Sequence, residues 1–520
     1  MDTTEIALHK QDEQQAARLH WVWHLLQRAA PAQETYFLTR WLFLRLLGLV
    51  YLFAFGALWP QLPGLIGPHG ILPAADYLRG FGGSGGPASF WQLPTLAWLD
   101  TGDGFLLFLC GVGMLLALLV IAGALPGPAL ALLWLDYLSI ANIGQDFLAF
   151  QWDSLLLETG FLAIFFAPWG LRPGFTHEAP PSRLVLWLLR WLLFRLIFFS
   201  GVIKLAAGDS TWHNLTALHY HWWTQPLPTP VAWYLYQLPD WFQTLSTAFT
   251  FVAELFAPLL IFAPRRVRFL GAALMIALQL LIMLTGNFGY FNLLTIALCV
   301  PLLDDALLSR VFAADRRARL LAHFQRRAAP GARRLVVVPL AILILLLSWV
   351  QVSRQIRLGV DVPLPVLELG GRLAPWQLVN GYGLFAIMTT DREEVIVEGS
   401  DDGTHWREYS FFAKPGDVRR PPAWAAPYHP RLDWQMWFAP FGGPGANPWL
   451  AGFLRGLLRG TPQVLALLPA NPFPQTPPRY VRASLYLYQF TDIPTRAATG
   501  AWWERRFIAP YIEPMSLTGP

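Results

Sequence analysis

About nine apolar runs in this chain are long enough to cross a bilayer, which takes roughly 20 residues each, and they restrict it to a polytopic α-helical membrane fold. They lie near 41–60, 105–125, 128–144, 152–168, 184–206, 241–263, 268–285, 288–303 and 335–351. Several are short, so neighbouring pairs remain open to a re-entrant or tilted reading. Of the 520 residues, 55% are hydrophobic and 14% charged, against about 25% charged in a soluble domain. The net charge of +5 is no nucleic-acid signal, because the arginines cluster between spans, where topology needs them. Cys110 and Cys299 both lie in apolar runs, so no disulfide framework supports the polar parts.

Orientation follows from the arginines. Arg265, Arg266 and Arg268 sit between spans six and seven, and Arg310, Arg316, Arg317, Arg319, Arg326, Arg327, Arg333 and Arg334 between spans eight and nine. With nine crossings both loops share a side with Lys10, Arg18, Arg28 and Arg40, and that side is expected to be cytoplasmic. Residues 13–28 carry Leu19, Trp21, Trp23, Leu25 and Leu26 among polar side chains, the pattern of an interfacial amphipathic helix. The start of the chain lacks the short apolar core of a secretory signal peptide. Three regions are therefore expected: a cytoplasmic amphipathic segment at 1–40, a transmembrane helical domain at 41–351 and an extracytoplasmic β-rich domain at 352–520. The Gly- and Pro-rich loop between spans one and two is expected to hold little secondary structure.

After residue 353 polar and β-branched residues return. Arg392 to Gly399 and Trp406 to Phe412, joined through Asp401-Asp402-Gly403, read as a hairpin. Val481, Ala483, Leu485 and Leu487 alternate with polar residues, a strand with one buried face. Trp502 to Ile508 reads as another strand, and Pro448 to Leu458 as an inserted helix. The expectation is a β-sandwich-like domain. Arg431 to Phe438 reads as a strand whose Trp434, Met436 and Phe438 share a core face, while Asp433, Gln435 and Trp437 point outward.

The spans are not purely apolar. Gln151-Trp152-Asp153-Ser154-Leu155-Leu156-Leu157-Glu158-Thr159-Gly160 places carboxylates at the head of span four and inside it. An ionised group in hydrocarbon costs roughly 3 kcal/mol on insertion scales. Glu158 sits roughly 9 Å from the outer end of its span, Arg195 roughly 16 Å and Lys204 roughly 3 Å, so Glu158 is within reach of either base. Asp136, Asp153, Glu158, Arg190, Arg195, Lys204 and Glu254 are expected to form an intramembrane polar cluster. Two readings stay open for it: an ion-pair network that holds helices together, or a functional cavity. Asp153 also has the simpler reading of a helix cap. Lys204, close to a span end, has that of a snorkelling lysine.

Other motifs fail on context. Gly82-Gly83-Ser84-Gly85-Gly86 fits the G-x-S-x-G elbow but lacks the flanking strand and helix. His219 and His221 have no third ligand at a sensible spacing, so no metal is expected. Asn214-Leu215-Thr216 is a glycosylation sequon on the outer side. Neither phosphate loop, dinucleotide fingerprint nor zinc pattern occurs, and no cofactor or nucleic-acid partner is expected.

Three longer strings carry a resemblance: the stretch from Gln151 to Gly160; Ser200-Gly201-Val202-Ile203-Lys204-Leu205, with Gly208 to Trp212, Leu215 to Leu218 and His219 to Pro230; and Pro430 to Ala439. They resemble the signatures of the lipase maturation factor family, endoplasmic-reticulum membrane proteins that help secreted lipases reach their active state. Trp222 and Trp223 stand where the family pattern has a Tyr-Glu pair, which removes one carboxylate from that loop. Gly201 to Leu205 is also similar to the lysine-bearing helix of the distantly related vitamin K-dependent carboxylase superfamily, where a lysine serves in base chemistry. The resemblance implies a membrane-embedded, chaperone-like maturation factor whose partners are secreted client proteins, among them lipases, and membrane lipid. The arginine-rich composition implies a bacterial member in the inner membrane. The outer-loop signature is then Asp209, Trp212, His219 and His221, and the candidates for client binding are Arg431, Asp433, Gln435 and Trp437. The alternative is an integral-membrane enzyme acting on a lipid-like substrate in the polar cavity, with Lys204, Glu158 and Asp153 as catalytic candidates. Transport through the same polar interior is a third reading.

Overall fold

The computed structural model describes residues 34–81, 86–174, 178–325, 334–356 and 362–517. The amphipathic segment 13–28, residues 82–85 of the Gly82–Gly86 motif, and Arg326, Arg327 and Arg333 lie outside the described residues.

Each apolar run is helical. The helices are α1 (Phe37–Leu58), α2 (Asp103–Ala122), α3 (Pro126–Ile143), α4 (Gln151–Phe166), α5 (Arg183–Ala206), α6 (Asp240–Phe251), α7 (Arg265–Thr285), α8 (Phe291–Cys299) and α9 (Arg334–Ile356). Helix α6 continues through a π turn at Val252–Phe256 and a 3-10 segment at Ala257–Phe262. By length and apolarity six of these qualify as membrane spans: α1, α2, α5, the Asp240–Phe262 unit, α7 and α9. A seventh arises if Phe291–Leu302 and the bent Asp305–Val311 count together. Helix α4 has only 16 residues, and α3 carries Pro126, Asp136 and Asn142, so neither qualifies. The molecule is thus a polytopic helical membrane protein. Local chemistry sets the ends: Gly123, at φ 79°, closes α2 in the left-handed conformation that glycine adopts without cost. Ser182 caps α5 by accepting the Val185 N–H.

Contacts between the helix connections fall into two sets. At one end, the Asp305 carboxylate accepts the Phe37 and Leu38 N–H groups at 2.8 Å each, Arg265 pairs with Asp304, and Arg268 with Glu34 at 3.1 Å. Arg40 pairs with Glu178 there. At the other end, the chain after α9 meets the α1–α2, α3–α4, α5–α6 and α7–α8 connections. Gln61 donates to His429 O, Arg431 reaches Phe147 O, Arg392 donates to Trp223 O, and Asn287 donates to Ala423 O. The α1–α2 connection holds short helices at Leu62–Leu65, Ala74–Arg79 and Pro87–Gln92, more structure than its glycines and prolines suggest.

The C-terminal region contains one antiparallel sheet, ordered β2-β1-β3-β4, of β1 (Arg392–Ser400), β2 (Arg407–Glu408), β3 (Tyr480–Phe490) and β4 (Trp503–Met515). Val395 stands opposite Leu485, and Val397 opposite Ala483. The expected hairpin, both later strands and the helix Pro448–Leu458 are present. The expected second sheet is not among the described residues. Both faces of this single sheet are covered instead. Val395, Val397, Val481 and Ala483 join the main core. Ile396, Tyr488, Phe490 and Trp503 pack on Trp212, Trp222, Trp223 and Trp233 of the α5–α6 connection. Buried residues of β3 thus lie on both faces, Val481 and Ala483 on one and Tyr488 and Phe490 on the other, so the single buried face expected becomes two, and Leu485 and Leu487 are half-buried.

Arg431–Phe438 is a helix, α10, not a strand. Pro430 ends the extended approach, and Asp433 falls in the first turn, where the helix dipole favours an acid. Helicity replaces the two-faced pattern with burial nearly all round: Arg431, Leu432, Asp433, Trp434, Gln435 and Met436 are all buried. Arg431, Asp433 and Gln435 do not point outward, and only Trp437 and Phe438 are half-buried.

Candidate functional site

The seven charges expected to cluster separate instead: five of them enter three buried ion pairs, one of which is completed by Arg431, while Arg190 lies apart and Asp136 stands alone. The first pair joins α4 to α10. Arg431 grips Asp153 with two guanidinium nitrogens at 2.6 and 2.7 Å, and the Tyr137 and Tyr290 hydroxyls donate to the same carboxylate at 2.5 and 2.7 Å. Gln61 Oε1 accepts the Arg431 N–H at 2.8 Å. Asp153 makes no cap bond, because its carboxylate is spent on this fork. One bidentate pair thus ties the C-terminal region to α3, α4 and the connections before α2 and α8.

The second pair is Glu158 with Arg195, linking α4 to α5. The chain after α9 dips between them. Asn380 N donates to Glu158 at 2.9 Å, the Tyr382 hydroxyl donates at 2.7 Å, and Asn380 O accepts from Arg195 at 3.0 Å. Every polar atom of the carboxylate is thereby partnered, which a buried charge needs.

The third pair is Lys204 with Glu254. The ammonium donates to both carboxylate oxygens, at 2.8 and 3.0 Å, and to Ser200 O at 3.1 Å, with the Trp212 ring centroid 5.3 Å away. Lys204 is 4% exposed, so it does not snorkel to the surface. Glu254 sits in the π turn, an irregularity that recurs at functional positions. Gly201 brings α5 close there, since a Cβ would lie 2.7 Å from Leu255 Cδ2. The pair forms part of the lining of a cavity of about 520 Å³.

Arg190 belongs to the opposite end of the molecule, where it donates to Pro301 O and the Tyr36 hydroxyl. Asp136 is buried without a hydrogen-bond partner among the described residues.

The outer-loop signature fastens the segment that dips. Asp209 accepts the Met388 N–H at 2.5 Å and the Thr211 N–H at 2.8 Å; despite some burial, these bonds hold its carboxyl below the usual range. Trp212 Nε1 donates to Phe385 O at 2.9 Å. His221 lines the cavity, its ring edge-on to Phe385; burial, and then the Lys204 ammonium, push its pKa down to about 4. His219 lies 3.7 Å from Asp240, apart from the cavity. No group of three or more metal-binding side chains occurs among the described residues.

Asp433 accepts the Ala413 and Lys414 N–H groups at 2.6 and 3.0 Å, and burial raises its pKa to about 6 against those bonds. Trp437 Nε1 donates to Thr224 O at 2.9 Å. Sequence reasoning did not find Gln61, Tyr137, Tyr290, Asn380 or Tyr382. Tyrosines inside apolar runs were the available signal for two of them; nothing local marks Asn380. It also missed the buried triad in which Glu394 accepts from Arg392 Nε at 2.9 Å and lies 2.7 Å from the Lys414 ammonium, while Arg392 reaches Pro226 O at 2.7 Å.

Residues 38–310 match the lipase maturation factor transmembrane domain, and residues 378–513 match the lipase maturation factor C-terminal domain. The chain is 37% identical to lipase maturation factor 2 of Mus musculus, across 92% of this chain and 83% of that protein. It is 36% identical to lipase maturation factor 1 of Mus musculus, across 93% and 88%, and 37% identical to that of Bos taurus, across 93% and 90%. No solved structure matches it. Arg431 and Asp153 come from the two separately matched regions, and their fork makes those regions one structural unit. With both regions matched in order and such identity along nearly its whole length, the chain belongs to the lipase maturation factor family.

Proposed function

We propose that this chain is a membrane-embedded maturation factor that helps secreted client proteins, lipases among them, reach their active folded or assembled state. The observation that carries this reading is the match to family members named for that role along more than nine-tenths of the chain. The geometry suits it: an outer region is held rigidly on a helical base by the Asp153–Arg431 and Glu158–Arg195 pairs, as a platform that receives clients emerging across the membrane requires.

The same proposal has a topology: nine crossings, residues 1–40 on the cytoplasmic side, 41–351 in the membrane, 352–520 outside, in a bacterial inner membrane. Support comes from the two sets of end contacts. Under nine alternating crossings the α1–α2, α3–α4, α5–α6 and α7–α8 connections all fall on the side of the C-terminal region, and they are the connections it touches.

The test is a host lacking its own copy, expressing a secreted lipase. Lipase activity per mass of secreted enzyme should fall without this chain and return with it, but not with Asp153→Asn. Equal specific activity with and without the chain would overturn the proposal.

A further inference from the structure

Helices α6 and α7 are joined by a two-residue connection and pack together only along Val252–Phe262, the half of the α6 unit next to that connection. Along Asp240–Phe251 they meet less closely, and both helices line the cavity of about 520 Å³. That size lies within the range of about 300–1,000 Å³ typical of small-molecule sites. Its lining includes Leu245 and Leu281, 59% and 48% exposed, both on helices apolar enough to span the membrane. Exposed leucines on two such helices suit an opening toward hydrocarbon rather than water.

The polar end of the cavity has a definite character. Lys204 and Glu254 neutralise one another with both carboxylate oxygens occupied, so no uncompensated charge faces the space. The His221 ring meets those of Trp222 and Phe385 edge-on and makes no hydrogen bond among the described residues. Gln279 accepts from Asn292 through its carbonyl oxygen at 2.8 Å, which leaves its amide nitrogen free to donate. A charged head would be desolvated here without a counter-charge, at a cost of several kcal/mol. An uncharged head able to exchange hydrogen bonds would find His221 and Gln279 waiting.

We propose that this cavity binds one molecule of a neutral lipid, with its apolar chain between α6 and α7 and a small uncharged hydrogen-bonding head at His221 and Gln279. The site goes beyond the maturation role and stands without it. It makes the gap between two spans a built receptacle rather than a packing defect.

The test uses the full chain in phosphatidylcholine nanodiscs and a monoacylglycerol with a photoreactive diazirine in its acyl chain. Label should concentrate on the peptides containing Phe242 to Thr250 and Leu278 to Ile282, and excess unlabelled monoacylglycerol should compete it away. Ser246→Trp, which fills the cavity, should cut labelling at least tenfold, whereas Leu270→Trp, at an exposed position of α7 outside the cavity, should not. His221→Phe keeps the ring shape but loses its hydrogen bond, and should weaken competition about threefold to tenfold. A lysophosphatidylglycerol with the same diazirine chain should leave the cavity peptides unlabelled. Label spread evenly over all lipid-facing helices, or not competed in the wild-type chain, would overturn the site. Equal cavity labelling by the anionic probe would overturn the neutral head. Because the readout is labelling, a chain that fails to mature a lipase yet keeps the label separates this site from the maturation proposal.

Discussion

At the scale of single residues the molecule depends on charges that are buried in pairs. Asp153 accepts from Arg431, Tyr137 and Tyr290, and all of them are closed off from solvent. Removing one partner leaves the other charged, dry and alone, so Asp153→Ala should cost about 3–5 kcal/mol in denaturant unfolding of the purified protein. Asp153→Leu combined with Arg431→Met removes both charges and should recover most of that loss. If the double variant is as unstable as the single one, packing rather than charge sets the cost. His221 supplies a second residue-scale expectation. Its pKa of about 4 in the fold lies below the ordinary 6.5. Above pH 6.5 both folded and unfolded states are neutral there and the full stability is present. As pH falls from 6.5 toward 4 the unfolded chain takes up the proton first, and that stability is lost. His221→Phe should therefore flatten this part of the pH profile, visible as a smaller drop in Tm than wild type between pH 7 and pH 5. Identical profiles would place His221 in water.

At the scale of elements, α10 shows what local pattern cannot reveal. Trp434 is 3% exposed, donates to Asn287 O at 2.9 Å and packs against the Trp152 ring at 4.7 Å. Trp437 is half-buried, bonded to Thr224 O and stacked edge-on with Phe438 and Phe441. Trp434→Ala should cost about 3–5 kcal/mol through the cavity it leaves, and Trp437→Ala about 1 kcal/mol through one hydrogen bond. Thermal unfolding of the two variants side by side checks the difference; equal losses would mean that Trp437 is core as well. The apolar runs, the hairpin and the helix Pro448–Leu458 were legible because periodicity and turn residues act within a few positions. Arg431–Phe438 read as a strand because an eight-residue run buried nearly all round shows neither period. Glu158 was legible as a charge in an apolar run, but its partners Asn380 and Tyr382 were not, since they lie more than 200 positions away in a stretch without periodicity. The sheet was legible and its cover was not: Trp212, Trp222, Trp223 and Trp233 belong to a connection whose aromatics suit a membrane interface equally well.

At the scale of the whole molecule the arginines and the contacts point the same way. Arg265, Arg268 and Arg190 all engage groups at one end of the helices, with Asp304, Glu34 and Pro301 as partners. Arg431 and Arg392 engage the other end, yet both are buried and paired, so they add no free positive charge to it. The unburied arginines of the loop after α8, among them Arg310, Arg316, Arg317 and Arg319, belong to the first end. The exposed arginines of that loop suit the cytoplasmic side proposed for this end, where positive charge in short loops is retained during insertion. A reporter active only outside the cytoplasm should consequently be active when fused after Pro520 and silent when fused near Arg319. Cysteine accessibility gives an independent reading of the same arrangement. A cysteine at Gln61, whose side chain accepts the Arg431 N–H at 2.8 Å, should react with a membrane-impermeant reagent only after the C-terminal region is loosened by Asp153→Ala, and then from the outer side. Reactivity from the cytoplasmic side, or a silent reporter after Pro520, would invert the molecule and place its client platform where no secreted protein folds.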